Sequence, residues 1–167
     1  MQVMTQRIGL LALVVLLGLA GCGFHLKGYQ QVGPDLDGLF IEQAEQRGGL
    51  ADEIRQQLLV SGVQLATSAA QANNVLRILQ ERFRQRVISV DANGKVLEYE
   101  LLLQASFSLT RTAVQEPPMP QDLELTRQLT FSGSDELSMR SEAQMMRNDM
   151  RIDMAGQVIR QLQAQLK

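Results

Sequence analysis

Leu97-Glu98-Tyr99-Glu100-Leu101-Leu102-Leu103-Gln104-Ala105-Ser106-Phe107-Ser108-Leu109 alternates apolar with polar side chains, and only Leu102 is out of step. Successive side chains of a strand point to opposite faces, so the odd positions line a core and the even ones turn largely toward solvent, as in an antiparallel sheet. Just upstream, Asp91-Ala92-Asn93-Gly94-Lys95 reads as a turn, in which Asn-Gly supplies the positive backbone angles of a type I′ hairpin. The partner strand is then 75–90. Leu79, Phe83 and Val87 take its core side, and Arg82, Arg84 and Arg86 the other. Leu76 and Ile78 have the wrong parity for Phe83, which predicts a twist or bulge near Gln80.

Working outward, residues 38–43 read as a buried strand bounded by the Gly48-Gly49 break. Leu50, Ile54, Leu58 and Ser61 mark one face of a helix at about 50–61, and Gly62 stands where a left-handed cap is expected. Val63-Gln64-Leu65 continues as a short extended piece before a polar, Ala-rich stretch. Pro117, Pro118 and Pro120 make 112–122 a stiff connection. Leu123, Leu125, Leu129 and Phe131 resume the alternation, with Arg127 as the exception, and the strand ends near Ser132. From about 135 to 166 the period changes: Ile152, Ala155, Ile159, Leu162 and Leu166 step by three or four, and Met146, Met150, Met154 and Val158 widen the stripe. The element order predicts an α+β two-layer sandwich, a mixed sheet of about four strands covered on one face by two helices.

The first residues read as a targeting segment. Arg7 gives a positive start and Ile8–Leu19 an apolar run too short to span a membrane comfortably. Leu19-Ala20-Gly21-Cys22 resembles a lipobox, after which signal peptidase II cleaves, so the expectation is removal of 1–21 after Gly21 and an N-acyl, S-diacylglycerol cysteine at Cys22. Cys22 is the only cysteine, so it has no disulfide partner in the chain. Two or more acyl chains anchor stably where one is marginal. Gly23, in place of an aspartate after the cysteine, resembles default routing to the outer membrane. The expected organisation is a signal peptide at 1–21, a lipidated N-terminus and tether at 22–37, and a single α+β periplasmic domain at 38–167.

The 167-residue chain carries 16 Lys plus Arg against 18 Asp plus Glu. Loss of 1–21 removes only Arg7, and the resulting negative balance argues against general nucleic-acid binding. Catalysis has little inventory. His25 is the sole histidine, with no free cysteine beside it, so zinc sites and triads fail. Glu98 and Glu100 share a strand face, which solvated strands commonly show. Gly48-Gly49 and Gly94-Lys95 are turns, with no phosphate-loop pattern. The methionines between 139 and 154 read as core in preference to an adaptable groove. Arg77, Arg82, Arg84, Arg86 and Lys95 would make a basic stripe for phosphates, but a solvated face that discourages edge pairing is preferred. No metal or cofactor is expected beyond the covalent lipid.

Cys22-Gly23-Phe24-His25-Leu26-Lys27-Gly28 after the lipobox, and Ser89-Val90-Asp91-Ala92-Asn93-Gly94-Lys95-Val96-Leu97-Glu98-Tyr99-Glu100-Leu101 in the hairpin, resemble the LPS-assembly lipoproteins of the LptE family. The order of elements extends the similarity over essentially the whole chain. The resemblance implies a non-enzymatic outer-membrane lipoprotein with its domain on the periplasmic side or inside a barrel. It implies a plug and assembly scaffold for an LptD-like β-barrel, with lipopolysaccharide as a further ligand. In the family a basic residue of the hairpin turn and another before the last helix are implicated in lipopolysaccharide contact. Here those roles fall to Lys95, because Asp91, Ala92 and Asn93 occupy the turn itself, and to Arg140. The alternative is a free-standing periplasmic lipoprotein that binds glycolipid or cell wall without a barrel.

Overall fold

The computed structural model describes residues 34–42, 48–113, 117–130 and 136–166. Residues 43, 114–116, 131–135 and 167, which the expected elements touch at their ends, lie outside this set, as do 1–33. Four strands, β1 (Leu39–Glu42), β2 (Asn74–Val90), β3 (Val96–Arg111) and β4 (Gln121–Thr130), lie side by side in sequence order in one open sheet. β1 runs parallel to β2, and the other neighbours are antiparallel. The parallel pair needs a crossover, which contains helix α1 (Leu50–Val60); the second helix, α2 (Glu136–Leu166), closes the order. This is the expected mixed sheet and α+β class.

Both helices lie on one face. The core joins Leu39 and Ile41 of β1, Ile54 and Leu58 of α1, Leu76 and Ile78 of β2, the odd residues Leu101–Leu109 of β3, Leu129 of β4, and Met150, Met154, Val158 and Leu162 of α2. Leu103 has no exposed surface, so trimming it to alanine costs about 2–5 kcal/mol, transfer and cavity together. Met150 and Met154 are fully buried, so the methionine stripe is core at those positions. Ile152 is a correction: it is 48% exposed. The buried α2 positions 143, 150, 154, 158 and 162 run on the neighbouring ridge, and Ile152 contributes its carbonyl, which accepts from Gln57 Nε2 of α1 at 3.0 Å.

The end of α1 follows a Schellman pattern. Gly62 has φ +84°, its N–H donates to Leu59, and the Val63 N–H donates to Leu58. The following residues run extended beside β1: Gly38 N–H donates to the Gln64 carbonyl at 2.7 Å, and Ala66 N–H to that of Leu39 at 3.0 Å.

The expected bulge lies between Ile78 and Gln80, where Leu79 has no partner on β3. It corrects the side assigned to Leu79, whereas Val87, opposite Tyr99, keeps the face of Phe83. Leu76 and Ile78 are the core residues before the bulge, Leu79 is 46% exposed, and past it Phe83 packs on the core while Val87, farther along the hairpin, is exposed. The turn also differs from type I′. Among the described residues none but glycine has positive φ, and at the tip only Gly94 does, at +78°. Gly94 N–H donates to Asp91 C=O, and Asp91 N–H to Lys95 C=O, a three-residue loop that closes on a left-handed glycine. Asp91 Oδ1 decides the form by accepting from the N–H groups of both Asn93 and Lys95.

Candidate functional site

The β2–β3 hairpin and the first turns of α2 hold the two basic residues singled out by sequence. Arg127 of β4 pairs with Asp153 of α2, and Gln121 bonds Gln165, so α2 runs antiparallel to β4. Its N-terminal end therefore points toward the turn of the hairpin. From Asp153 back to Arg140 the helix rises about 20 Å. From Leu101, the β3 partner of Arg127, back to Lys95 the strand covers about 20 Å. Lys95 and Arg140 are thus brought to the same end of the domain, and both are exposed. Arg127 was the exception to the alternation on β4, and its ion pair with Asp153 accounts for a charge on the helix side of the sheet.

The bulge has a second consequence on the open face. Arg77 precedes it at odd parity, and Arg82, Arg84 and Arg86 follow at even parity; opposite Ser108, Gln104, Leu102 and Glu100 of β3, all four stand on the same outer face. The row is partly neutralised, since Arg77 pairs with Glu42 at 2.7 Å and Arg86 with Glu100 at 2.8 Å. Arg82 and Arg84 have no ion pair among the described residues. Across β3, Gln104 Nε2 donates to Glu124 of β4 at 2.8 Å. Arg82, Gln80, Ser106, Asp122 and Glu124 border an open depression of about 320 Å³. The face is therefore striped, basic along β2 and acidic along β4. Glu98 and Glu100 do share this face, but Glu100 is held by Arg86, and Glu98 lies opposite Ser89 and Thr130. No carboxylate is set there for proton transfer.

Sequence reading missed Glu81. The register change turns it to the helix side, where Oε2 accepts the Leu50 N–H at 2.7 Å and Oε1 accepts Arg151 Nε at 2.9 Å. The N-cap of α1 is Gly49, which offers no side-chain acceptor, so a carboxylate from the sheet does the capping. A turn farther back along α2, the Arg147 guanidinium lies 5.0 Å from the centre of the Phe83 ring. Its buried Nε has no hydrogen-bond partner among the described residues, so the ring supplies its stabilisation. The parity conflict at Gln80 was the available signal: if Phe83 faces in, so does Glu81.

Cys22, His25 and the whole targeting segment lie outside the described residues. Among the described ones, no group of three His, Cys, Asp or Glu is placed to hold a metal, and no helix is long and apolar enough to cross a membrane. What fold and site define is a two-layer α+β domain with a projecting basic-tipped hairpin and a polar, charge-striped open face. Rare lipoprotein B of Shewanella oneidensis shares this fold with TM-score 0.68 at 20% identity, over 76% of this chain and 94% of that one. Lipoprotein B of Nitrosomonas europaea does so with TM-score 0.69 at 24% identity, over 85% and 91%. A curated relative, the LPS-assembly lipoprotein LptE of Yersinia pestis (strain Pestoides F), is 31% identical over 162 residues, 96% of this chain and 75% of the relative. The family model LptE, described as lipopolysaccharide-assembly, matches residues 36–162. The chain belongs to the LptE lipopolysaccharide-assembly family.

Proposed function

We propose that this chain is an outer-membrane lipoprotein, cleaved after Gly21 and acylated at Cys22. In this reading its domain serves as plug and assembly scaffold for an LptD-like β-barrel that delivers lipopolysaccharide to the outer leaflet. The observation that carries the reading is the family match over 36–162, which includes the hairpin, every strand, α1 and all but the last turn of α2. The lipopolysaccharide-assembly role named for the relatives thus attaches to the folded domain as a whole. The plug assignment has physical support in the open face: a domain lodged in a wet barrel lumen needs a polar outer surface, and β2 and β4 supply a basic and an acidic row there, while the helices cover the apolar side from Leu101 to Leu109 of β3. The work is positional, with no bond made or broken and no cofactor beyond the lipid. Lys95 and Arg140, at one end of the domain, are assigned to lipopolysaccharide phosphates, which guanidinium and ammonium groups bind by charge-assisted hydrogen bonds.

The deciding experiment is affinity purification of the lipidated protein from detergent-extracted outer membranes. Stoichiometric recovery of one large β-barrel protein is expected, whereas a lone monomer that binds glycolipid would replace this reading with the free carrier. Lipopolysaccharide contact is tested separately. The pair Lys95→Glu and Arg140→Glu is expected to weaken binding to the purified protein by about tenfold, and unchanged binding removes both assignments.

A further inference from the structure

The two long margins of the sheet are treated differently. At the β1 side, the chain at 64–66 donates to and accepts from Gly38 and Leu39 and so covers the end of that edge. Farther along, the stretch of β2 past β1 is exposed, but it is interrupted at Leu79 and again around Ile88, and it carries Arg82, Arg84 and Arg86. Bulges and charges of this kind blunt an edge against pairing. β4 has neither. Its ladder with β3 runs from Thr130 to Gln121 without a register shift, and the strand holds no proline or lysine. Among the described residues no backbone group hydrogen-bonds to its far side. Alternate residues of such a strand direct both N–H and C=O away from the sheet.

The side chains of β4 say what would fit. Its outward row is Asp122, Glu124, Thr126, Gln128 and Thr130, all exposed, with two acids and no base. On the helix side, Leu123 and Leu125 are only half-buried, at the rim of the core. The one charge there, Arg127, is drawn onto Asp153 of α2. An added strand would complete the ladder, cover both leucines, and present its alternate side chains to Asp122 and Glu124.

We propose that the free edge of β4 is a docking site for an extended segment of a partner polypeptide, one that alternates Lys or Arg with aliphatic residues and joins the sheet as a fifth strand. Main-chain hydrogen bonds supply affinity in such augmentation, and the alternating side chains supply selection. The occupant is a different polypeptide from this chain: the outward row of β4 holds two acids and no base, so β4 of a second copy offers no complement, and β2 of a copy, interrupted at Leu79 and around Ile88, lacks the regular edge that a long added strand needs.

The test uses the full lipidated chain in detergent, with a ten-residue peptide of alternating lysine and valine as probe. Controls are a glutamate-valine peptide and a lysine-valine peptide interrupted by proline. Backbone hydrogen exchange is expected to slow at alternate residues of β4 when the first peptide binds, and with neither control. Asp122→Lys together with Glu124→Lys is expected to weaken the peptide by about fivefold or more. The proposal is overturned if the peptide does not bind, if protection falls elsewhere than β4, or if the double reversal leaves affinity unchanged. It is equally overturned if β4 is protected without peptide in a concentration-dependent dimer, since the occupant would then be a second copy.

Discussion

Removal of the Glu81 carboxylate should loosen three elements at once, because its two oxygens are divided between the first N–H of α1 and the Arg151 guanidinium of α2. The side chains of Glu81 and Arg151 are 15% and 14% exposed, so the pair lies between the surface limit, worth under about 1 kcal/mol, and the buried limit, where loss of one partner costs about 3–5 kcal/mol. Loss of a cap adds about 1 kcal/mol, and Arg151 would be left half-sealed without its acceptor. Glu81→Ala is therefore expected to cost about 2–3 kcal/mol. Arg151→Ala should cost less, about 1–2 kcal/mol, because Glu81 keeps the Leu50 N–H. The double variant should reveal a coupling of about 1 kcal/mol.

Urea unfolding followed by circular dichroism measures this on the mature chain with Cys22→Ser, which removes the lipid without touching the described domain. With a slope of about 2 kcal/mol per molar, Glu81→Ala should lower the midpoint by about 1–1.5 M. A shift below about 0.3 M, or additive single effects within about 0.3 kcal/mol, would refute the argument that one carboxylate ties sheet to both helices.

Three further changes probe other parts of the structure. Gly38 has φ +75°, and an added Cβ would sit 2.6 Å from Asn73 Nδ2; Gly38→Ala should lower stability by about 1–3 kcal/mol, read as a fall in thermal midpoint. Gly156 stands inside α2 with ordinary helical angles, and its added Cβ would meet the side-chain ends of Arg160 at 3.4 Å and Gln57 at 3.8 Å, both ordinary contacts, so Gly156→Ala should raise the urea midpoint by an amount equivalent to about 0.5–1 kcal/mol. Cys22→Ala should move the protein from the membrane to the soluble fraction on cell fractionation. The same variant should still form the barrel complex when purified components are refolded together, and failure there would contradict a folded domain that carries the specificity.

The two-layer arrangement was legible because period-two strands and a period-three-to-four helix are written directly in apolar spacing, as Leu101–Leu109 and Met150–Leu162 show. Lys95 was legible as a tip residue because Asn93-Gly94 marks a turn, but the turn type was not. Asn-Gly suits type I′ locally, yet the Asp91 carboxylate, by accepting two backbone N–H groups, stabilises a different loop that needs positive φ only at Gly94. The conflict between Ile78 and Phe83 located the bulge within a residue. Which residues changed face as a result depended on where the ladder resumed, and local pattern does not carry that.

One register change thus sets both surfaces of the domain. With an unbroken ladder from Leu76, the even residues of β2 would stay on the core side, so Arg82 would take the half-buried place of Phe83, Arg84 and Arg86 the exposed places of Gln85 and Val87, while Glu81 and Phe83 faced away from the helices. An arginine in the place of Phe83, with Glu81 turned away from Leu50 and Arg151, would cost more than the one lost pairing at Leu79. The bulge puts the single acid where two helices need an anion and puts the bases where water, or an anionic ligand, can meet them. Deletion of Leu79 tests the inference without appeal to any partner. Without the extra residue Ile78 leads straight to Gln80, and their partners Phe107 and Ser106 are already consecutive on β3, so the ladder closes with the arginines still outward and Glu81 still inward. The expected result is a chain that unfolds cooperatively, as Leu79→Ala should too; loss of cooperative unfolding on the deletion would refute Leu79 as the residue that carries the register change.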